Sequence, residues 1–157
     1  MPKKLRANDH ATLESAKKVR IEELIGFALR RAHFAAENHY QRLLTSPGLT
    51  PRQVAVLVSL VQSGPTTIAE LCARIYVDRN TVGEMISRMA KAKLVHKRVP
   101  PGNRRAVEID ITGEGFDELR HSLPVIVRSQ SEVLEAIPQR DRAVFFRCLK
   151  VIADQFS

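Results

Sequence analysis

The sequence predicts a mainly α-helical protein with one small β-hairpin. Three observations carry that prediction. Apolar residues recur three and four apart over most of the chain, the period of a helix with one buried face. Helix-start chemistry recurs at Thr50, Thr67, Asp78 and Thr112. The one pair of alternating, β-branched stretches, Val95 to Val99 and Ala106 to Ile111, flanks the turn residues Pro100-Pro101-Gly102-Asn103. Aromatic residues make up only 5% of the chain and Trp is absent, so Leu, Ile, Val and Ala must build the core. At 157 residues the chain suits one domain rather than two.

Residues 1–20 are basic and poor in large apolar groups, and read as a flexible arm, helical at most towards its end. From Ile21 to Leu44 two apolar stripes share one helix: Ile21, Ile25, Ala28, Ala32, Ala35, His39 and Leu43, and Leu24, Phe27 and Phe34. Such a helix packs on two sides. Thr50-Pro51-Arg52-Gln53 restarts a helix with a capping box, and Val54, Leu57, Val58 and Val61 are its expected buried face. Gly64-Pro65 ends it. A short helix follows, with Thr67 and Glu70 as a second capping box and Ile68, Leu71, Cys72 and Ile75 inward. Tyr76-Val77 makes a turn and Asp78 caps the next helix, Arg79 to about Ala92. Its apolar side is Val82, Met85, Ile86 and Met89; its polar side is Arg79, Asn80, Thr81, Glu84, Ser87, Arg88 and Lys91. The hairpin comes next. Thr112 then caps a long helix to about Ala136, which Pro124 should kink or interrupt. A last helix, Gln139 to Phe156, presents Val144, Phe145, Leu149, Ile152 and Phe156.

The charge is uneven. Between Arg79 and Arg105 stand eight Lys/Arg and one acid, Glu84, a local +7 in a chain of net +8. Residues 113–157 carry six bases and seven acids, so they do not form a polyanion-binding surface. A basic helix beside a basic hairpin is the electrostatic footprint of a duplex-DNA reader. A helix fits the major groove, and a hairpin tip can set an arginine into the minor groove. Thr67, Arg79, Asn80, Thr81, Glu84, Arg88, Lys91, Arg98, Asn103, Arg104 and Arg105 are the candidate DNA contacts. Glu84 can accept from cytosine N4 or orient Arg88 four residues on. Thr66 and Thr67 open a helix whose N–H groups suit a phosphate, although capping explains them equally well.

These segments, in this order, resemble the MarR family of bacterial transcription regulators. "LTPRQVAVLVSL" is similar to that family's second helix, and "TIAELCARIYVDRNTVGEMISRMAKAKLV" to its helix-turn-helix. "HKRVPPGNRRAVEIDIT" is similar to its wing. Two departures stand out. The family usually has Asp-x-Arg at the wing tip, where this chain has Asn103-Arg104-Arg105, and Lys93 stands where a glycine is frequent. Lysine resists a left-handed cap, so a short helix extension is expected there.

The resemblance implies a winged helix-turn-helix lobe at 49–112 inside one domain, 21–157, with dimerisation helices at 21–46 and 113–157. It implies a homodimer on a pseudo-palindromic operator in double-stranded DNA. The expected function is a ligand-responsive repressor of a catabolic or efflux operon. Its expected effector is a small anionic aromatic compound or the coenzyme A thioester of one. Arg30, Arg31, His33, Phe34 and Tyr40 in the first long helix, with Arg52 opening the second, are the candidate ligand residues. Interface contacts or solvated surface are the alternatives for them. His33 and His39 are six apart and make no preformed metal pair, so neither a metal nor another cofactor is expected. No catalytic motif is found, and no enzyme is expected. Cys72 and Cys148 read as free thiols of a cytoplasmic protein, and no apolar run reaches membrane-spanning length. The rival functions are an effector-free DNA-architectural module and a thiol-based redox-sensing repressor.

Overall fold

The computed structural model of the chain describes residues 7–45, 48–99 and 107–156. It divides into two compact units, residues 1–38 and 39–157. The first holds α1 (Ala7–Lys18), a 3-10 turn (Ile21–Glu23) and most of α2 (Ile25–Leu43). A helix therefore occupies most of the segment read as an arm, helped by the Lys17–Glu14 pair one turn apart. The helix expected from Ile21 starts only at Ile25. Leu24 is extended (ψ 121°), and its carbonyl accepts from the amides of Phe27 and Ala28. Val19, Ile21, Leu24, Ile25, Phe27 and Phe34 are all exposed in this unit.

The second unit contains α3 (Pro51–Ser63), β1 (Thr66–Thr67), α4 (Ile68–Ile75), α5 (Arg79–Lys91), β2 (Val95–Arg98), β3 (Glu108–Ile111), α6 (Gly113–Glu135) and α7 (Gln139–Phe156). Both capping boxes form as the sequence predicts, Thr50 with Gln53 and Thr67 with Glu70. The core is built around α3, which packs on α4, α6 and β3. With neighbours on several sides, α3 buries Val54, Val56, Leu57 and Leu60. Val61, expected inward, is half exposed, because the buried arc is centred one residue earlier.

The sheet is antiparallel with strand order β1-β3-β2. Val95 pairs with Ile111 and Arg98 with Glu108, while Thr66 pairs with Ile109 on the other edge. The strand β1 was not foreseen. Two residues cannot show an alternating pattern, and only pairing with β3 makes them a strand. Ile109 in the middle strand is fully buried.

Helix α5 ends differently from expectation. Lys93 does adopt the left-handed conformation, at φ 59°. Its amide donates to the Ala90 carbonyl and that of Leu94 to Met89, at 3.0 and 2.9 Å, which completes a Schellman motif around a lysine. The Thr112 hydroxyl donates to the Lys93 carbonyl while accepting from the Gly115 amide. This cross-link offsets the steric cost of a side chain there, about 1–2 kcal/mol. Pro124 does not interrupt α6, which runs unbroken from Gly113 to Glu135. No residue of α7 is buried, and Val144, Phe145, Phe146, Val151 and Phe156 are exposed along it. None of the described helices is long and apolar enough to cross a membrane.

Candidate nucleic-acid interface

Helix α5 is two-sided for a physical reason. Val82, Met85, Ile86 and Met89 are at most 5% exposed and lock one face into the core. At about 100° per residue, Asn80, Glu84, Ser87, Arg88 and Lys91 must then point the other way, and all five are exposed. Asp78 holds the start of the helix. Its carboxylate accepts from the Thr81 amide at 3.0 Å and from the Thr81 hydroxyl at 2.6 Å. Those bonds hold the Asp78 carboxyl below its ordinary pKa. The Thr81 side chain thus serves the cap.

The remaining predicted contacts divide clearly. The side chains of Arg79, Asn80, Glu84, Arg88 and Lys91 have no hydrogen-bond or ion-pair partner among the described residues. The suggested Glu84–Arg88 pair along the helix does not form. Four free polar groups and one free carboxylate on a rigid helix can meet phosphates and base edges without first breaking internal bonds.

Thr67 is committed elsewhere. Glu70 Oε2 accepts from the Thr67 amide and from the hydroxyls of Thr66 and Thr67, each at 2.8 Å. These three donors bring the Glu70 pKa to about 2. The protein's own carboxylate therefore fills the anion position at the start of α4.

Arg98 on β2 is bound across the sheet, with Nε 3.2 Å from Glu108 and a terminal nitrogen 3.9 Å from Asp110. At 43% exposure the Arg98 side chain still reaches solvent. The predicted wing-tip residues Asn103, Arg104 and Arg105 lie outside the described residues. Sequence reasoning singled out neither Tyr76 nor Gly83. Tyr76 sits at the turn between α4 and α5 at φ 53° and is 82% exposed. An aromatic residue in a left-handed turn is a signal only once the turn geometry is known.

The predicted ligand residues fall in two places. Arg30, Arg31 and Phe34 line one open cleft of about 430 Å³ beside α2, together with Phe27, Ala35 and Asn38. Arg31 also faces an adjoining cleft of about 590 Å³ with Ile21, Glu22, Phe27, Ala28, Ala32 and Ala35. His33 lies 3.4 Å from Glu37 on its own helix, its ring near Phe34. Arg52 is exposed on the first turn of α3, in the other unit.

Tyr40 is a correction. It is fully buried, and its hydroxyl donates to the Leu49 carbonyl at 2.8 Å. A residue with no accessible surface pins the loop before α3 and is not an open pocket wall. His39 likewise makes a structural link, 2.7 Å from Glu132, which also holds Arg128 at 2.7 Å.

The model of the MarR family matches residues 49–107, from the end of the loop before α3 to the start of β3. Over that stretch the chain is similar to the MarR family of winged helix-turn-helix regulators. Among MarR-type proteins it is similar to the transcriptional repressor NicR of Pseudomonas putida, with 26% identity over 134 residues and 85% of each chain covered. Its fold is similar to that of PcaV from Streptomyces coelicolor, solved with its natural ligand. The TM-score is 0.79 and the identity 27%, over 87% of this chain and 96% of that one. It is also similar in fold to BpsR from Bordetella bronchiseptica, whose DNA binding is regulated by 6-hydroxynicotinic acid. There the TM-score is 0.79 at 23% identity, over 87% of this chain and 97% of that one. The MarR match and the free face of α5 coincide.

Proposed function

We propose that this MarR-type chain is a ligand-responsive repressor. Two copies bind a pseudo-palindromic operator through α5 and the wing, and a small aromatic acid or its coenzyme A thioester releases them. The observation that carries the reading is the free outward face of α5, with Arg79, Asn80, Glu84, Arg88 and Lys91 on a helix whose opposite face is locked into the core. Dimerisation is supported by the exposed apolar residues of α7 and of α2, which need a cover in water. The effector class is supported by Arg30, Arg31 and Phe34 around one cleft, a cationic and aromatic lining. The 6-hydroxynicotinic acid that regulates BpsR is of the same chemical kind.

An effector acts by binding better to a dimer whose recognition helices are wrongly spaced for successive major grooves. A 100-fold loss of DNA affinity needs about 2.7 kcal/mol of differential binding. The test has two stages. Enrichment from a randomised duplex pool should yield a two-fold-symmetric site bound about 10³-fold or more over random DNA. Aromatic acids and their thioesters are then titrated against that complex, with wild type, Arg30→Ala and His33→Ala. Equal release midpoints for all three proteins would remove these residues from the ligand site. A protein showing no sequence preference would be an architectural module instead.

A further inference from the structure

Helix α5 carries a glycine that packing among the described residues does not require. Gly83 lies in mid-helix without a positive φ, and a Cβ built there meets no atom within 4 Å. Glycine weakens a helix interior relative to alanine. Among the described residues no neighbour would clash, so the gap is open to a partner. The gap opens into a shallow cleft of about 390 Å³ lined by Ile68, Arg79, Asn80, Gly83 and Glu84.

Glu84 presents a second oddity at the same place. It is the single acid between Arg79 and Arg105, it is exposed, and nothing neutralises it among the described residues. A free carboxylate facing a phosphate-rich partner opposes binding to every sequence alike. One group in the major groove reverses that sign. The exocyclic amino group of cytosine donates there, and a carboxylate accepts from it. A charge that penalises most sites and rewards one acts as a specificity element rather than an affinity element.

We propose that the cleft at Gly83 is a base-reading subsite. The missing side chain lets the edge of a base pair seat against Ile68, and Glu84 accepts a hydrogen bond from cytosine N4 of that pair. Asn80, one turn earlier, supplies both a donor and an acceptor to the neighbouring base. The operator then carries an obligatory C·G pair in each half-site. This inference rests on the reading of α5 as the DNA-contacting helix and adds which residues discriminate and what they select.

The experiment compares the full chain with Gly83→Ala, Glu84→Gln and Glu135→Gln. The last removes a charge from the exposed far end of α6. Each protein is run through enrichment on a randomised duplex pool, affinity measurement on the wild-type winner and its single-pair variants, and thermal unfolding. Gly83→Ala should unfold at a higher temperature yet bind the wild-type winner about 10-fold or more weakly, a pairing that a structural glycine cannot give. Glu84→Gln should bind random duplex more tightly and lose roughly 5- to 150-fold of discrimination at one C·G pair per half-site. Glu135→Gln should keep the wild-type preference. If Gly83→Ala and Glu84→Gln enrich the wild-type sequence at the wild-type ratio, the subsite is refuted while the regulator reading stands. A wild type that enriches no sequence overturns both.

Discussion

Gly113 and Gly115 open the same helical turn of α6, and alanine should act on them in opposite directions. A Cβ on Gly115 would stand 2.0 Å from the Leu94 carbonyl oxygen, 2.9 Å from its carbon and 3.1 Å from Ile111 Cγ1. Since contacts under 3.0 Å are essentially never tolerated, the Leu94 backbone must retreat by about 1 Å. That carbonyl accepts the Thr112 amide at 3.2 Å, so the retreat breaks the bond joining the wing root to the start of α6. Overpacking costs about 1–3 kcal/mol and the lost bond about 0.5–1.5 kcal/mol. Better helix propensity returns up to about 1 kcal/mol. The net loss is about 2 kcal/mol, or roughly 4–8 °C of melting temperature for a chain of this size. At Gly113 no atom of the described residues lies within 4 Å, so alanine there gains propensity alone. Urea unfolding of both variants, followed by circular dichroism, measures the difference. A Gly115→Ala midpoint equal to wild type, or a Gly113→Ala midpoint that falls as far, would refute the close approach of α6 to Leu94.

Three further outcomes follow from the geometry. The Glu70 carboxyl is held at about 2 by its threonine donors, against 4.5 when free. Its stabilising contribution is therefore complete above the free value and fades as pH falls through the folded one. The melting-temperature advantage of wild type over Glu70→Gln should shrink between about pH 6 and pH 2, and a constant gap would contradict the cap assignment. Arg105→Ala should weaken binding to the enriched operator by roughly 1–3 kcal/mol. Arg120→Ala, on an exposed helix beside Asp117, should leave it unchanged; equal affinities in a gel-shift titration would take the wing out of the mechanism. Tyr40→Phe should lower unfolding stability by about 1 kcal/mol, because the buried Leu49 carbonyl loses its donor. A neutral result would show that another group takes the donor's place.

Much of the molecule was legible in one dimension because its signals are local. Caps at Thr50, Thr67, Asp78 and Thr112 act within three residues, so they read directly as helix starts. The two faces of α5 follow from helical periodicity, which singled out Arg79, Asn80, Glu84, Arg88 and Lys91 before their surroundings were known. Other features depend on residues far apart in sequence. The strand Thr66–Thr67 exists only because β3 lies beside it. Lys93 holds a left-handed turn because Thr112, nineteen residues on, bonds to its carbonyl. Tyr40 is closed to a ligand because the fold buries its ring and ties its hydroxyl to the Leu49 carbonyl. The open space beside Gly83 is visible only once the helix is placed against its described neighbours. Capping and periodicity are short-range and additive, whereas burial, strand pairing and empty space are settled only when the chain folds back on itself.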